Sequence, residues 1–126
     1  MNAFLRKQLV EFALDYETER HIAEQKAALQ ANPAWARGYL NLGLLYQTQS
    51  KQDLALEHFL KALSLDPRLA DAHVAAGQVY AVRGEYDKAW EHAHLAAAFG
   101  NRRLLELLER YKEETTDEQG SARRKT

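Results

Sequence analysis

The sequence predicts an all-α fold, a right-handed superhelical stack of helix-turn-helix hairpins closed by a C-terminal capping helix. Three observations carry this expectation. Residues recur at a fixed spacing of 34, the length of one two-helix unit. Apolar positions follow three-and-four spacing, which lines one face of a helix. The 126 residues contain only 6 Gly and 2 Pro, too few for a turn-rich β protein.

The repeat sets the organisation. Pro33 and Pro67 are 34 residues apart, and aligning 34–67 with 68–101 without gaps gives eight identities. They are Ala36/Ala70, Gly43/Gly77, Tyr46/Tyr80, Asp53/Asp87, Ala55/Ala89, Glu57/Glu91, His58/His92 and Ala62/Ala96. Most are small or aromatic residues, where helix packing is most demanding. In the first unit Tyr39, Leu42, Leu45 and Tyr46 mark one helix and Leu56, Phe59, Leu60 and Leu63 the next. The polar run Gln49-Ser50-Lys51-Gln52 separates them, and Arg83-Gly84-Glu85 does the same in the second unit. Asn32-Pro33 and Asp66-Pro67 end the preceding helices, because a residue before proline is pushed out of the α region. Gly43 and Gly77, set against Ala55 and Ala89, allow close helix approach at a propensity cost of about 1 kcal/mol each.

The order Tyr39, Leu42-Gly43, Tyr46, Ala55, Phe59, Ala62, Pro67 resembles the tetratricopeptide repeat (TPR) signature along its whole length. The chain resembles a small, bacterial-type member of that family. The next unit is a weaker copy: His73, Ala76-Gly77, Tyr80, Ala89, Ala93, Ala96, Asn101. Projected backwards, the frame gives Leu5, Gln8-Leu9, Phe12, His21, Gln25, Ala28 and Pro33, of which only the second half matches. His21 stands where the family wants a small residue. Residues 2–31 are therefore expected either as a splayed hairpin or as one bent helix.

One TPR-like domain is expected over 1–115, with a degenerate repeat at 2–35, a strong repeat at 36–69, a weaker one at 70–101 and a capping helix at 102–115. In that last helix Leu104, Leu105, Leu107, Leu108 and Tyr111 share one broad face, and Asn101 is positioned to cap its start. Leucines that cap a repeat need no second explanation as a coactivator-type LLELL box. From 116 to 126 the chain is almost wholly polar and is expected as a disordered tail.

Composition narrows function. The formal net charge is −1, from 17 Lys+Arg against 18 Asp+Glu, which argues against binding driven by nucleic-acid phosphates. No apolar run reaches the roughly 18 residues of a membrane span, and Glu11 and Asp15 interrupt any leader-like core. With zero Cys there is no disulfide or thiolate metal site, in keeping with a reducing, cytoplasmic setting. Five histidines raise the question of metal, but His92 and His94 are two residues apart on a helix and point to nearly opposite sides, and no HExxH pattern occurs. No phosphate-binding glycine loop or nucleophile elbow is present, and the Glu clusters follow helical polar faces. Neither catalysis, cofactor nor metal is expected. Trp90 is expected to fill space before the terminal helix, and Trp35 to staple its helix to the preceding segment.

The resemblance implies a concave groove lined by the first helix of each hairpin. Its positions here are Arg37, Leu40, Asn41, Leu44, Gln47 and Thr48, then Asp71, Val74, Ala75 and Gln78. It implies a non-catalytic module that binds a partner peptide or helix, as an adaptor or scaffold. One subset of the family clamps acidic chaperone tails with Lys/Arg and Asn. The corresponding positions here are Arg6, Val10, Asn41, Asp71 and Ala75, of which two suit a carboxylate and Asp71 repels it. The alternative is self-assembly into a homodimer through Leu5, Leu9, Phe12 and Leu14 of the irregular N-terminal segment.

Overall fold

A computed structural model describes residues 2–112, all of whose regular elements are helices. They are α1 (Ala3–Ala31), α2 (Ala36–Thr48), α3 (Gln52–Leu65), α4 (Ala70–Val82), α5 (Tyr86–Ala98) and α6, which spans 103–112 within the described residues. The last residues of the expected capping helix and the tail at 116–126 lie outside them. The chain divides into two compact units, Met1–Pro67 and Arg68–Thr126.

In the first unit α2 and α3 form an antiparallel hairpin and α1 packs on α2. Thr48 ends α2 because Ser50 adopts a left-handed conformation with φ 61°. The amide of Ser50 donates to the Gln47 carbonyl at 2.9 Å and that of Lys51 to the Tyr46 carbonyl at 3.0 Å, so the last carbonyls of α2 are satisfied. Phe59, Ala55 and Ala62 are wholly buried in α3, against Leu42 and Tyr46 of the core. An added Cβ on Gly43 would lie 2.5 Å from the Phe59 ring and 3.1 Å from the Ala55 carbonyl. Gly43 is thus a hollow that Phe59 fills. Gly38 plays a like part nearer the helix start, beneath the Trp35 ring and Leu29.

The N-terminal segment takes the single-helix alternative: α1 runs unbroken for 29 residues. The repeat frame explains why. The left-handed turn residue is Ser50 in one hairpin and Gly84, with φ 79°, in the other. Thirty-four residues before Ser50 stands Tyr16, a bulky residue for which that conformation is costly. Neither Gly nor Pro occurs between Ala3 and Ala31, so nothing interrupts the helix. Asn2 caps its start, its Oδ1 accepting from the Leu5 amide at 2.8 Å. Only Ile22 and Leu29 of α1 are buried.

In the second unit α4 and α5 repeat the hairpin. The Gly84 amide donates to the Ala81 carbonyl at 3.0 Å and the Glu85 amide to the Tyr80 carbonyl at 2.9 Å, the same C-terminal motif as in α2. Ala89, Ala93 and Ala96 are wholly buried. A smaller core needs a lid, and α6 supplies it: Leu104, Leu105 and Leu108 are buried, with Leu104 filling the hollow over Gly77. Asn101 caps α6, its Oδ1 accepting from the Arg103 amide at 3.1 Å, while its Nδ2 donates to Asp71 at 3.0 Å. Leu107, expected on the packed face, is 54% exposed, because three leucines already span the sector that meets the hairpin. Leu60 in α3 likewise stands outside the core. Trp90 is half-buried beside His94, with Lys112 of α6 over its ring at 5.8 Å.

Candidate functional site

The expected groove residues divide by exposure. On α2 Arg37, Leu44 and Thr48 are exposed and Asn41 and Gln47 half-buried, whereas Leu40 is only 2% exposed. Leu40 therefore belongs to the core and cannot meet a ligand. It lies about 60° around α2 from Gly43, beside half-buried Gln47 at about 40°, where the helix begins to turn inward. On α4 Asp71 and Gln78 are exposed, Val74 is half-buried and Ala75 is buried. A methyl group at 75 projects too little to reach past its longer neighbours one turn away.

Three of these residues, Asn41, Leu44 and Thr48, line a cleft of about 430 Å³ between α1 and α2, with Leu45 of α2 and His21 and Gln25 of α1. The lining is neutral, apolar at the two leucines and polar at the amides. Gln25 Oε1 is buried and accepts no hydrogen bond from the described residues. The Thr48 hydroxyl donates to the Leu45 carbonyl at 2.6 Å, leaving its oxygen open to a further donor. Beside the cleft Gln49 Nε2 donates to Glu19 Oε1 at 2.6 Å and ties α1 to α2. The repeat frame marked His21 as a misfit to the small-residue pattern and set Gln25 at the position equivalent to Phe59, assigning neither to a site. Their place in the cleft follows from the missing turn at Tyr16, which leaves that face of α1 without the helix a complete hairpin would lay on it.

Three histidines, His58, His73 and His92, are used within their own hairpins. His58 Nδ1 is 2.8 Å from the Leu54 carbonyl, and its ring lies between Tyr39 and Tyr46. His73, 5% exposed, meets His92 with Nδ1 to Nδ1 at 3.0 Å. Phe99 stacks on His73 and Tyr80 on His92. No cluster of three or more metal-ligating side chains occurs among the described residues. No helix among them is long and apolar enough to cross a membrane.

At 3.0 Å the two Nδ1 atoms share one hydrogen, one ring donating and the other accepting. Burial lowers the proton affinity of His92, the facing His73 lowers it further, and Glu91 opposes both. The unfolded chain then takes up a proton near pH 6.5, the ordinary histidine value, before the folded one does. Stability from His92 is complete above that pH and declines as pH falls toward its lowered folded value. The urea midpoint should therefore drop between pH 7.5 and 5, and His92→Gln should flatten that slope. An equally steep slope in the variant would remove the pair as its cause.

The hairpin geometry and the repeat agree with known families. The tetratricopeptide repeat model matches residues 36–69, about a quarter of the chain, and the all-α fold is similar to that of solved tetratricopeptide-repeat structures. Among solved structures, a crystal structure of MamA superposes with TM-score 0.63 at 28% identity, covering 70% of this chain and 51% of that one. YrrB, described as a TPR protein with an unusual peptide-binding site, gives TM-score 0.61 at 29% identity, covering 70% of this chain and 50% of its own. The chain thus spans about half the length of both. The second TPR of Spaghetti (RPAP3), bound to the HSP90 peptide SRMEEVD, gives TM-score 0.62 at 19% identity over 74% of this chain and 86% of that one, a likeness of fold. A search of curated proteins found no match.

Proposed function

We propose that the protein is a non-catalytic interaction module of the cytoplasm, an adaptor that takes a neutral, extended partner peptide in the cleft between α1 and α2. The observation that carries this reading is the cleft itself. It pairs an apolar floor, Leu44 and Leu45, with Asn41, Thr48 and the unpartnered Gln25 carbonyl, all uncharged. Such a lining suits apolar side chains that alternate with backbone amides in need of partners. The likeness to YrrB, whose description names a peptide-binding site, supports the same class of ligand.

Leu44→Glu places a charge in the floor of the cleft, and because Leu44 is 42% exposed the fold should survive. Peptides selected on the wild-type chain should lose at least about tenfold in affinity for the variant, with the helical circular dichroism unchanged. Undiminished binding would place the ligand elsewhere. An acidic EEVD-type peptide should not bind, because Asp71 stands where such a clamp needs a cation and Val10 and Ala75 offer no polar group. Saturable binding of that peptide below about 1 mM, seen by calorimetry, would contradict the neutral-ligand reading.

A further inference from the structure

Every described residue from 2 to 17 is exposed, so the first half of α1 is a helix without tertiary support. A helix of about 15 residues is marginal in water on propensity alone. This one also shows large apolar side chains to solvent. Leu5, Leu9, Phe12 and Tyr16 follow four-three-four spacing, and Phe12 and Tyr16 are 71% and 62% exposed. At about 100° per residue these four form one stripe, and the exposed Ala23 and Ala27 continue it along the second half. The stripe lies about 120° around the helix from Ile22 and Leu29, the two buried residues of α1. It is therefore separate from the surface that α1 uses within its own unit. Leu14 falls off the stripe.

We propose that a second copy of this chain covers the stripe, the two α1 helices packing antiparallel about a two-fold axis at Tyr16. The distribution of side-chain size selects that arrangement. The stripe carries large apolar residues in its first half and, past Arg20, alanines in its second, so antiparallel pairing sets Leu5 against Ala27, Leu9 against Ala23 and Phe12 against the aliphatic stem of Arg20 of the other copy, twice over. Parallel pairing would crowd the leucines at one end and leave facing alanines at the other. Charge selects the same arrangement. Arg6 and Glu24 are 18 residues apart, about five turns, and so lie on the same flank of the stripe. About the Tyr16 axis Arg6 comes within about half a turn of Glu24 of the other copy, whereas parallel pairing leaves the two about 27 Å apart along the helices. At the axis the two Tyr16 rings meet. This inference does not depend on the peptide cleft, which lies on another face of α1.

The test is the solution mass of the whole chain by sedimentation equilibrium, together with three sets of variants. Twice 14.4 kDa is expected at about 100 µM, and Leu9→Glu should return the mass to 14.4 kDa with α2–α5 still folded. Arg6→Glu and Glu24→Arg should each weaken the dimer by about tenfold or more, and the two combined should restore it. The chain has no cysteine, so Tyr16→Cys should oxidise to a covalent dimer while Leu5→Cys should not. A wild-type monomer at that concentration would overturn the proposal. So would a dimer indifferent to Leu9→Glu, or one that cross-links through Leu5→Cys.

Discussion

Phe59→Ala is expected to lower the stability of the first unit by about 3–5 kcal/mol. A small domain has on the order of 5–15 kcal/mol in total, so much of the unit's margin goes with one ring. Phe59 is wholly buried, and its ring occupies the hollow that Gly43 leaves in α2. The residues flanking it on the same face of α3 are Ala55 and Ala62, whose methyl groups cannot move into the space. Truncation therefore leaves most of its cavity open. The neighbouring Leu60, 39% exposed, provides the control, and Leu60→Ala should cost about 0.5 kcal/mol or little more. Urea midpoints of the two variants measure the difference. Similar losses would mean that the α2–α3 contact is not centred on Phe59.

The second large effect separates two glycines that the repeat makes equivalent. Alanine gains about 1 kcal/mol over glycine inside a helix wherever there is room. At Gly43 there is none: the new Cβ would lie 2.5 and 2.7 Å from two atoms of the Phe59 ring and 3.1 Å from the Ala55 carbonyl oxygen. Ring and backbone would both have to yield, and Gly43→Ala should destabilise by about 1–3 kcal/mol net. At Gly77 the one close atom is a Leu104 Cδ methyl at 2.4 Å, the far end of a flexible side chain, while His92 Cβ and the Ala89 carbonyl lie at 3.3 and 3.4 Å. Rotation of Leu104 relieves that contact, so Gly77→Ala should fall within about 1 kcal/mol of wild type. Equal penalties in thermal or urea unfolding would mean that Leu104 is held as rigidly as Phe59.

The period of 34 made most of this legible before any coordinates. It located the turns at Ser50 and Gly84, the proline-linked helix ends and the small-residue crossings, because each is a local requirement met by particular residue types. The form of the N-terminal segment was legible only in part. A mismatch at His21 signalled trouble, but the deciding residue was Tyr16, whose meaning depends on knowing that its equivalents adopt positive φ. Leu40 and Ala75 were placed on a surface because groove positions carry over by register, whereas burial depends on the size of the neighbours. The contact of His73 with His92 was not legible: the two are 19 residues apart on different helices, and periodicity within one helix says nothing about rings that meet across a hairpin. Gln25 belongs to the same class, since its role arises from a helix that is missing from its hairpin.

Amide chemical-shift mapping with a selected peptide tests whether the cleft between α1 and α2 is the ligand site. Saturating peptide should shift the signals of Asn41, Leu44, Leu45 and Thr48 together with those of His21 and Gln25, and Leu44→Glu should abolish these shifts. Perturbations confined to other residues, with those six unmoved, would contradict it.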